Sequence, residues 1–146
     1  MTGYLIDTNV VSLLSPARAK HAAGLIAWLD EAEETKTELF LSVVTVHEIE
    51  RGIVLLDRKG ATAKASDLRR WMAGLFAAYE DRILPIDAAI STVSGQLEAE
   101  AIASGHSPGM ADALIAGTAK AHDLTVVTLN PRHFEPFGIR LMSAPV

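Results

Sequence analysis

Three acids carry the strongest chemical signal in this chain: Asp7 in Leu5-Ile6-Asp7-Thr8-Asn9, Glu48 in Thr45-Val46-His47-Glu48, and Asp112 in Met110-Ala111-Asp112-Ala113-Leu114. Asp7 ends an apolar run of β type, while Glu48 and Asp112 open segments of helical period. In an open α/β sheet the loops at the carboxyl ends of the strands converge on one crevice, so acids distant in sequence meet there. A cluster of carboxylates repels itself and raises its own pKa values unless a cation neutralises it. Oxygen-only ligands favour a hard divalent ion, and the pattern implies a magnesium site.

Each acid also has a plainer reading. Asp7 is placed to cap the helix that begins beside it. Thr45 and Glu48 stand three apart, the spacing of a capping box. Asp112 follows Ser107-Pro108 and suits the first turn of a helix, although its surroundings up to Ala119 are small and apolar, where an unpaired carboxylate is costly. A further polar pair, Thr128 and Asn130 in Val127-Thr128-Leu129-Asn130-Pro131-Arg132-His133-Phe134, is placed either to hold a ligand water or an acid, or to form the turn before Pro131.

Other chemistries lack their signatures. The five histidines (His21, His47, His106, His122, His133) show no zinc spacing, and the absence of cysteine removes thiolate ligands, disulfides and thiol nucleophiles together. There is no Gly-x-Gly-x-x-Gly, no P-loop lysine and no Gly-x-Ser-x-Gly elbow.

The elements that must position these acids alternate. Strand-like runs fall at residues 4–6, 39–43, 83–86, 125–128 and 139–142, and helical segments at 9–14, 22–34, 46–58, 62–79, 88–104 and 108–122. Short strands with little alternation are those buried on both faces, so the pattern predicts an α/β domain with a mainly parallel sheet covered by helices. Gly60 and Gly105 mark helix ends. At 146 residues one domain, 1–146, is expected. The first apolar stretch contains Asp7 and lacks a basic leader, so a secretory signal is not expected, nor is a membrane span; a cytoplasmic protein is.

The net charge of −5 conceals an uneven distribution, with residues 51–70 holding 6 Lys/Arg against 2 Asp/Glu. Arg51, Arg58, Lys59, Lys64, Arg69 and Arg70 are read either as a solvated helical face or as a local phosphate-attracting surface on an acidic protein. The 49% hydrophobic content and mean hydropathy of +0.24 exceed what one small core needs and point to self-association or a partner.

Taken in order, Leu5-Ile6-Asp7-Thr8-Asn9, the Glu48-x-x-x-Gly52 helix start, Ala111-Asp112-Ala113-Leu114-Ile115-Ala116 with Ala119, and Val127-Thr128-Leu129-Asn130-x-x-x-Phe134 resemble the PIN-domain family, especially its VapC and FitB-like ribonuclease toxins of bacterial toxin–antitoxin pairs. The resemblance covers nearly the whole chain. It implies a parallel sheet of about five strands flanked by helices and a magnesium- or manganese-dependent endoribonuclease site. The family's regular acids fall on Asp7, Glu48 and Asp112, with Thr8, Thr128 and Asn130 in support. A fourth acid, frequent at the position of Asn130 or His133, is missing here, and Glu135 lies nearby but off pattern. An antitoxin clasping the helix pair after Glu48 and a homodimer are also implied.

Two competing readings remain beside this one. One is a PIN-like module that binds protein or RNA without cutting, supported by the missing fourth acid. The other is a magnesium-dependent phosphoryl-transfer protein, which lacks here the paired acids and the lysine such a site uses.

Overall fold

The computed structural model describes residues 3–146; Met1 and Thr2, at the start of the stretch read above for a leader, lie outside the described residues. Five strands, β1 (Tyr4–Ile6), β2 (Leu39–Ser42), β3 (Ile83–Leu84), β4 (Thr125–Thr128) and β5 (Leu141–Ser143), form one sheet in the order β3-β2-β1-β4-β5. All pairs are parallel, as expected for strands that alternate with helices. The chain winds outward from β1 through β2 to β3, then crosses back to place β4 against the other side of β1. The strand order therefore reverses between β1 and β4, and such a reversal opens a crevice outside the carboxyl ends of the strands.

Side chains alternate across the sheet and sort the core into two layers. Ile6 and Val127 join Val10, Leu25, Leu41 and Ile53 on one face, under α1 (Thr8–Val11), α2 (Ala23–Glu34), α3 (Val43–Arg58) and α4 (Thr62–Ala78). Leu5 and Val126 join Leu97, Ala101, Ile115, Ala116 and Phe134 on the other, under α5 (Ala88–Ala103) and α6 (Met110–Ala121). No helix among the described residues is long and apolar enough to cross a membrane.

Several boundaries depart from the sequence reading. The segment expected as one helix at 9–14 is a single α-turn followed by a 3-10 turn at Ser12–Leu14, and the strand expected at 139–142 starts two residues later. Residues 108 and 109 stay outside α6, which begins at Met110 behind an extended Gly109. The largest departure concerns α3. It begins at Val43, directly from β2, because the Ser42 hydroxyl accepts the Val44 N–H at 3.0 Å and so caps the helix three residues before Thr45. The capping-box reading of Thr45 and Glu48 is thereby corrected: both lie within the helix.

Gly60 and Gly105 do end α3 and α5, with φ of +90° and +89°. The residue after each ties off a last helical carbonyl, Ala61 N–H to Leu56 O and His106 N–H to Ala101 O, both at 3.0 Å.

Candidate active site

Asp7 stands at the end of β1, beside Thr128 at the end of β4, where the strand order reverses. Its backbone N–H continues the ladder to Val127 O at 2.9 Å, which fixes the direction of the side chain. One carboxylate oxygen accepts the Thr8 N–H and the other accepts the Thr128 hydroxyl, both at 2.8 Å. The capping reading of Asp7 therefore holds for one oxygen only. Thr128 is fully buried and in turn accepts the Asn130 N–H at 3.1 Å, so it orients Asp7 and closes the turn after β4. Asn9 spans the same edge, accepting the Leu129 N–H at 3.3 Å.

Burial is the main reason that the Asp7 carboxyl is pushed up to about 6; the hydrogen bonds from Thr128 and Thr8 oppose this, while the charges of Asp112 and Glu48 add to it. Asp112, in the first turn of α6, is half-buried and also raised, first by burial and then by Glu48, with His133 acting in the opposite sense. Acids 105 residues apart in sequence thus feel one another across the strand ends.

Glu48 reaches this edge from the second turn of α3. The Thr8 hydroxyl donates to Glu48 Oε1 at 2.7 Å, and the Thr8 and Thr45 hydroxyls lie 2.8 Å apart. Arg51, one turn along α3, comes within 4.0 Å of Glu48 Oε2 at an exposed position. The exposed Asn130 contributes its backbone N–H but makes no side-chain cap on the following 3-10 turn.

The donor set consists of carboxylate and hydroxyl oxygens, which suits magnesium or manganese and not zinc. Among the described residues, no three His, Asp or Glu side chains are close enough together to hold one ion as a closed cage. Magnesium does not require one, since it keeps several waters and binds through one or two carboxylates together with substrate phosphate. Asp7 and Asp112 fit that mode of binding, with Glu48 at the margin.

The basic stretch at 51–70 is less available to phosphate than its composition implies. Arg69 is paired with Glu50 at 2.9 Å and Arg70 with Asp67, while Arg51 lies beside Glu48. Lys64 instead lines a groove of about 640 Å³ between α3, α4 and the segment after α1. Ile49, Ile53, Leu56, Leu68 and Trp71 form its apolar floor and wall, and Thr8 and Glu48 stand at one end of it. The sequence signal for this groove is the apolar faces of the α3–α4 pair, Ile53, Leu56, Trp71, Leu75 and Phe76, whose pattern reads either as core or as a partner's docking groove; Ile53, Leu56 and Trp71 line it. Gly52 lies in the groove with no atom within 4 Å of where its Cβ would be.

The order of these strand-end motifs is matched by the family model for the PIN domain over residues 4–137. The chain belongs to the PIN-domain family. This PIN domain is 35% identical over 131 residues to the toxin FitB of Neisseria gonorrhoeae, with 89% of each chain covered. It is 43% identical over 143 residues to the tRNA(fMet)-specific endonuclease VapC of Shigella flexneri, with 94% of each covered. The crystal structure of FitAcB from Neisseria gonorrhoeae matches its fold with a TM-score of 0.80 at 30% identity, covering 97% of each chain. A five-stranded parallel sheet flanked by helices is the arrangement this PIN domain shares with that structure.

Proposed function

We propose that this PIN domain is a magnesium- or manganese-dependent endoribonuclease, the toxin of a toxin–antitoxin pair, with Asp7, Asp112 and Glu48 at its metal site. The observation that carries the reading is the buried Asp7 carboxylate at the strand-order reversal, facing two further acids that raise its pKa. Such an arrangement costs stability and is relieved by a divalent cation. The names of the Neisseria and Shigella relatives, a toxin and an RNA endonuclease, support the same conclusion.

In this reading Thr128 and Thr8 hold Asp7, Thr8 also holds Glu48, and Asn130 keeps the β4 turn in place through Thr128. A bound cation would supply activation of the attacking water and neutralise charge on the leaving oxygen. Arg51 is held only at 4.0 Å from Glu48 and stays exposed, so of the arginines at 51, 69 and 70 it is the one this reading leaves to meet an RNA phosphate at the rim of the site.

A test is cleavage of total RNA by the purified chain with Mg²⁺, Mn²⁺ or EDTA, run beside Asp112→Asn. Cutting that needs metal and falls at least about a hundredfold in the variant is expected, since even residues that only orient a ligand cost about 10–100-fold. Full activity in the variant removes Asp112 from the site, and RNA cutting that persists in EDTA removes the metal from the mechanism. The competing binding-module reading draws on the open donor set and on the exposed, non-acidic Asn130 and His133; it predicts RNA or protein binding with no metal-dependent cuts.

A toxin needs neutralising in the cell that makes it, and the α3–α4 groove is where we place the antitoxin. It is apolar along its floor and opens on Glu48, so a partner's amphipathic helix seated there covers the acid site. Gly52→Leu fills the groove from a position with open space and favours the helix by up to about 1 kcal/mol. The variant is expected to melt no lower than the wild type and to lose co-purification with the antitoxin. Unchanged binding would place the partner elsewhere.

A further inference from the structure

We infer that Thr45 is a positioning residue for Glu48, acting through Thr8: its buried hydroxyl commits the Thr8 proton to the Glu48 carboxylate and so fixes where that acid points. The argument is one of proton accounting. Each threonine hydroxyl has a single proton to donate. Thr8 Oγ1 lies 2.7 Å from Glu48 Oε1, and an ionised carboxylate only accepts, so the Thr8 proton is spent there. The 2.8 Å contact between Thr8 Oγ1 and Thr45 Oγ1 then has one consistent direction, Thr45 donating into a Thr8 lone pair.

Burial strengthens the assignment. Thr45 is fully buried, so solvent offers its hydroxyl no alternative, and Thr8 is its one side-chain partner among the described residues. A buried hydroxyl without an acceptor is costly, which holds the relay in this direction. Donation into Thr8 also polarises the next hydrogen bond in the chain. The spacing that resembles a capping box in sequence serves a different purpose here. Residues three apart on a helix share a face, and Thr45 and Glu48 both turn towards Thr8, binding the start of α3 to the residue after Asp7. The orientation of Glu48 is thereby tied to the β1 end that carries Asp7.

The inference rests on the metal-site reading above for its functional meaning, and two measurements on the purified chain separate them. In the first, metal-free protein is followed by NMR at the Glu48 side-chain carboxyl carbon. Thr45→Val should shift that resonance, Thr45→Ser should leave it in place, and Thr8→Val should shift it whether or not Thr45 is changed. In the second, Mn²⁺ binding is titrated without RNA. Thr45→Val should weaken it roughly tenfold, as loss of an orienting hydrogen bond does, and Thr45→Ser by less than about twofold. The Thr8→Val, Thr45→Val double variant should lose no more than Thr8→Val alone, because the two act in series.

A folded Thr45→Val with an unmoved Glu48 resonance overturns the relay, as does a Thr45→Ser that behaves like the valine variant. If Thr45→Val does not fold, Thr45→Ala replaces it in both arms. Wild-type protein that takes no Mn²⁺ while the NMR arm behaves as expected counts against the metal site and leaves the relay standing.

Discussion

Asp7→Asn should abolish RNA cleavage and yet raise the melting temperature of the metal-free protein at pH 7.5. The Asp7 carboxyl is pushed up to about 6 from 3.8, chiefly by burial, so the folded chain holds its proton more tightly than the unfolded one. The sign follows from linkage. The protonated acid favours folding fully below pH 3.8, and that contribution is lost as pH rises through 6, where the buried charge costs roughly 3 kcal/mol.

Asparagine removes the charge and part of that cost. It also presents an amide N–H₂ where an oxygen now accepts either the Thr128 hydroxyl or the Thr8 N–H, which returns some of the gain. A net stabilisation of about 1–2 kcal/mol is expected, seen as a rise of roughly 3–7 °C with EDTA present. Melting curves of both proteins from pH 3.5 to 8 check it, because the other acids titrate alike in each. The advantage should vanish below pH 4. Saturating Mg²⁺ should reverse the order, since only the wild type is then stabilised by a ligand of its folded state. A variant whose advantage over wild type is no larger at pH 7.5 than at pH 3.5 would show that Asp7 is not strained, and the main physical support for a metal there would go with it.

Gly117→Ala should be among the most damaging single-methyl changes in the molecule. A Cβ on Gly117 of α6 would lie 1.9 Å from Ser94 Oγ and 2.9 Å from Ser94 Cα on α5. The hydroxyl has little freedom to move aside, because it is buried and donates to Ile90 O at 2.8 Å; the backbone can yield only if the helices separate. Overpacking of this kind costs about 1–3 kcal/mol, and the upper end is expected here, a fall of roughly 6–12 °C. Separation of α5 from α6 also shifts the helix that carries Asp112, so cleavage should fall more than stability alone explains.

Gly95→Ala provides the contrast within the same helix pair. Gly95 is exposed on α5 with no atom within 4 Å of its would-be Cβ, so alanine there should stabilise by up to about 1 kcal/mol. Equal responses at Gly117 and Gly95 would show that the α5–α6 approach is not set by the missing side chain.

These two glycines illustrate what could be read from the chain and what could not. The sequence sets Gly117 among small apolar residues and Gly95 between Ser94 and Gln96, but only the approach of a second helix shows that a methyl group at Gly117 has no room. The strands and helices were legible because their signals are local. Apolar runs such as Leu39-Phe40-Leu41 and glycines such as Gly60 and Gly105 act through nearest neighbours, and the alternation of element types then dictates a parallel sheet. The start of α3 was misread for a related reason: Ser42 and Thr45 are both chemically able to cap, and the end of β2 chose between them.

The candidate site divides in the same way. By itself the sequence singled out Asp7, Glu48 and Asp112 and put Asp7 at a strand end and Asp112 in a first helical turn, because residue type and element order need no coordinates. The tertiary structure alone decided that Thr128 and Thr8 hold Asp7, that Thr45 stands behind Thr8, that Arg69 and Arg70 pair with local acids, and that an apolar groove opens on Glu48. Each of these depends on hydrogen bonds or contacts between residues brought together by strand order and helix packing, and such pairings leave no periodic trace along the chain.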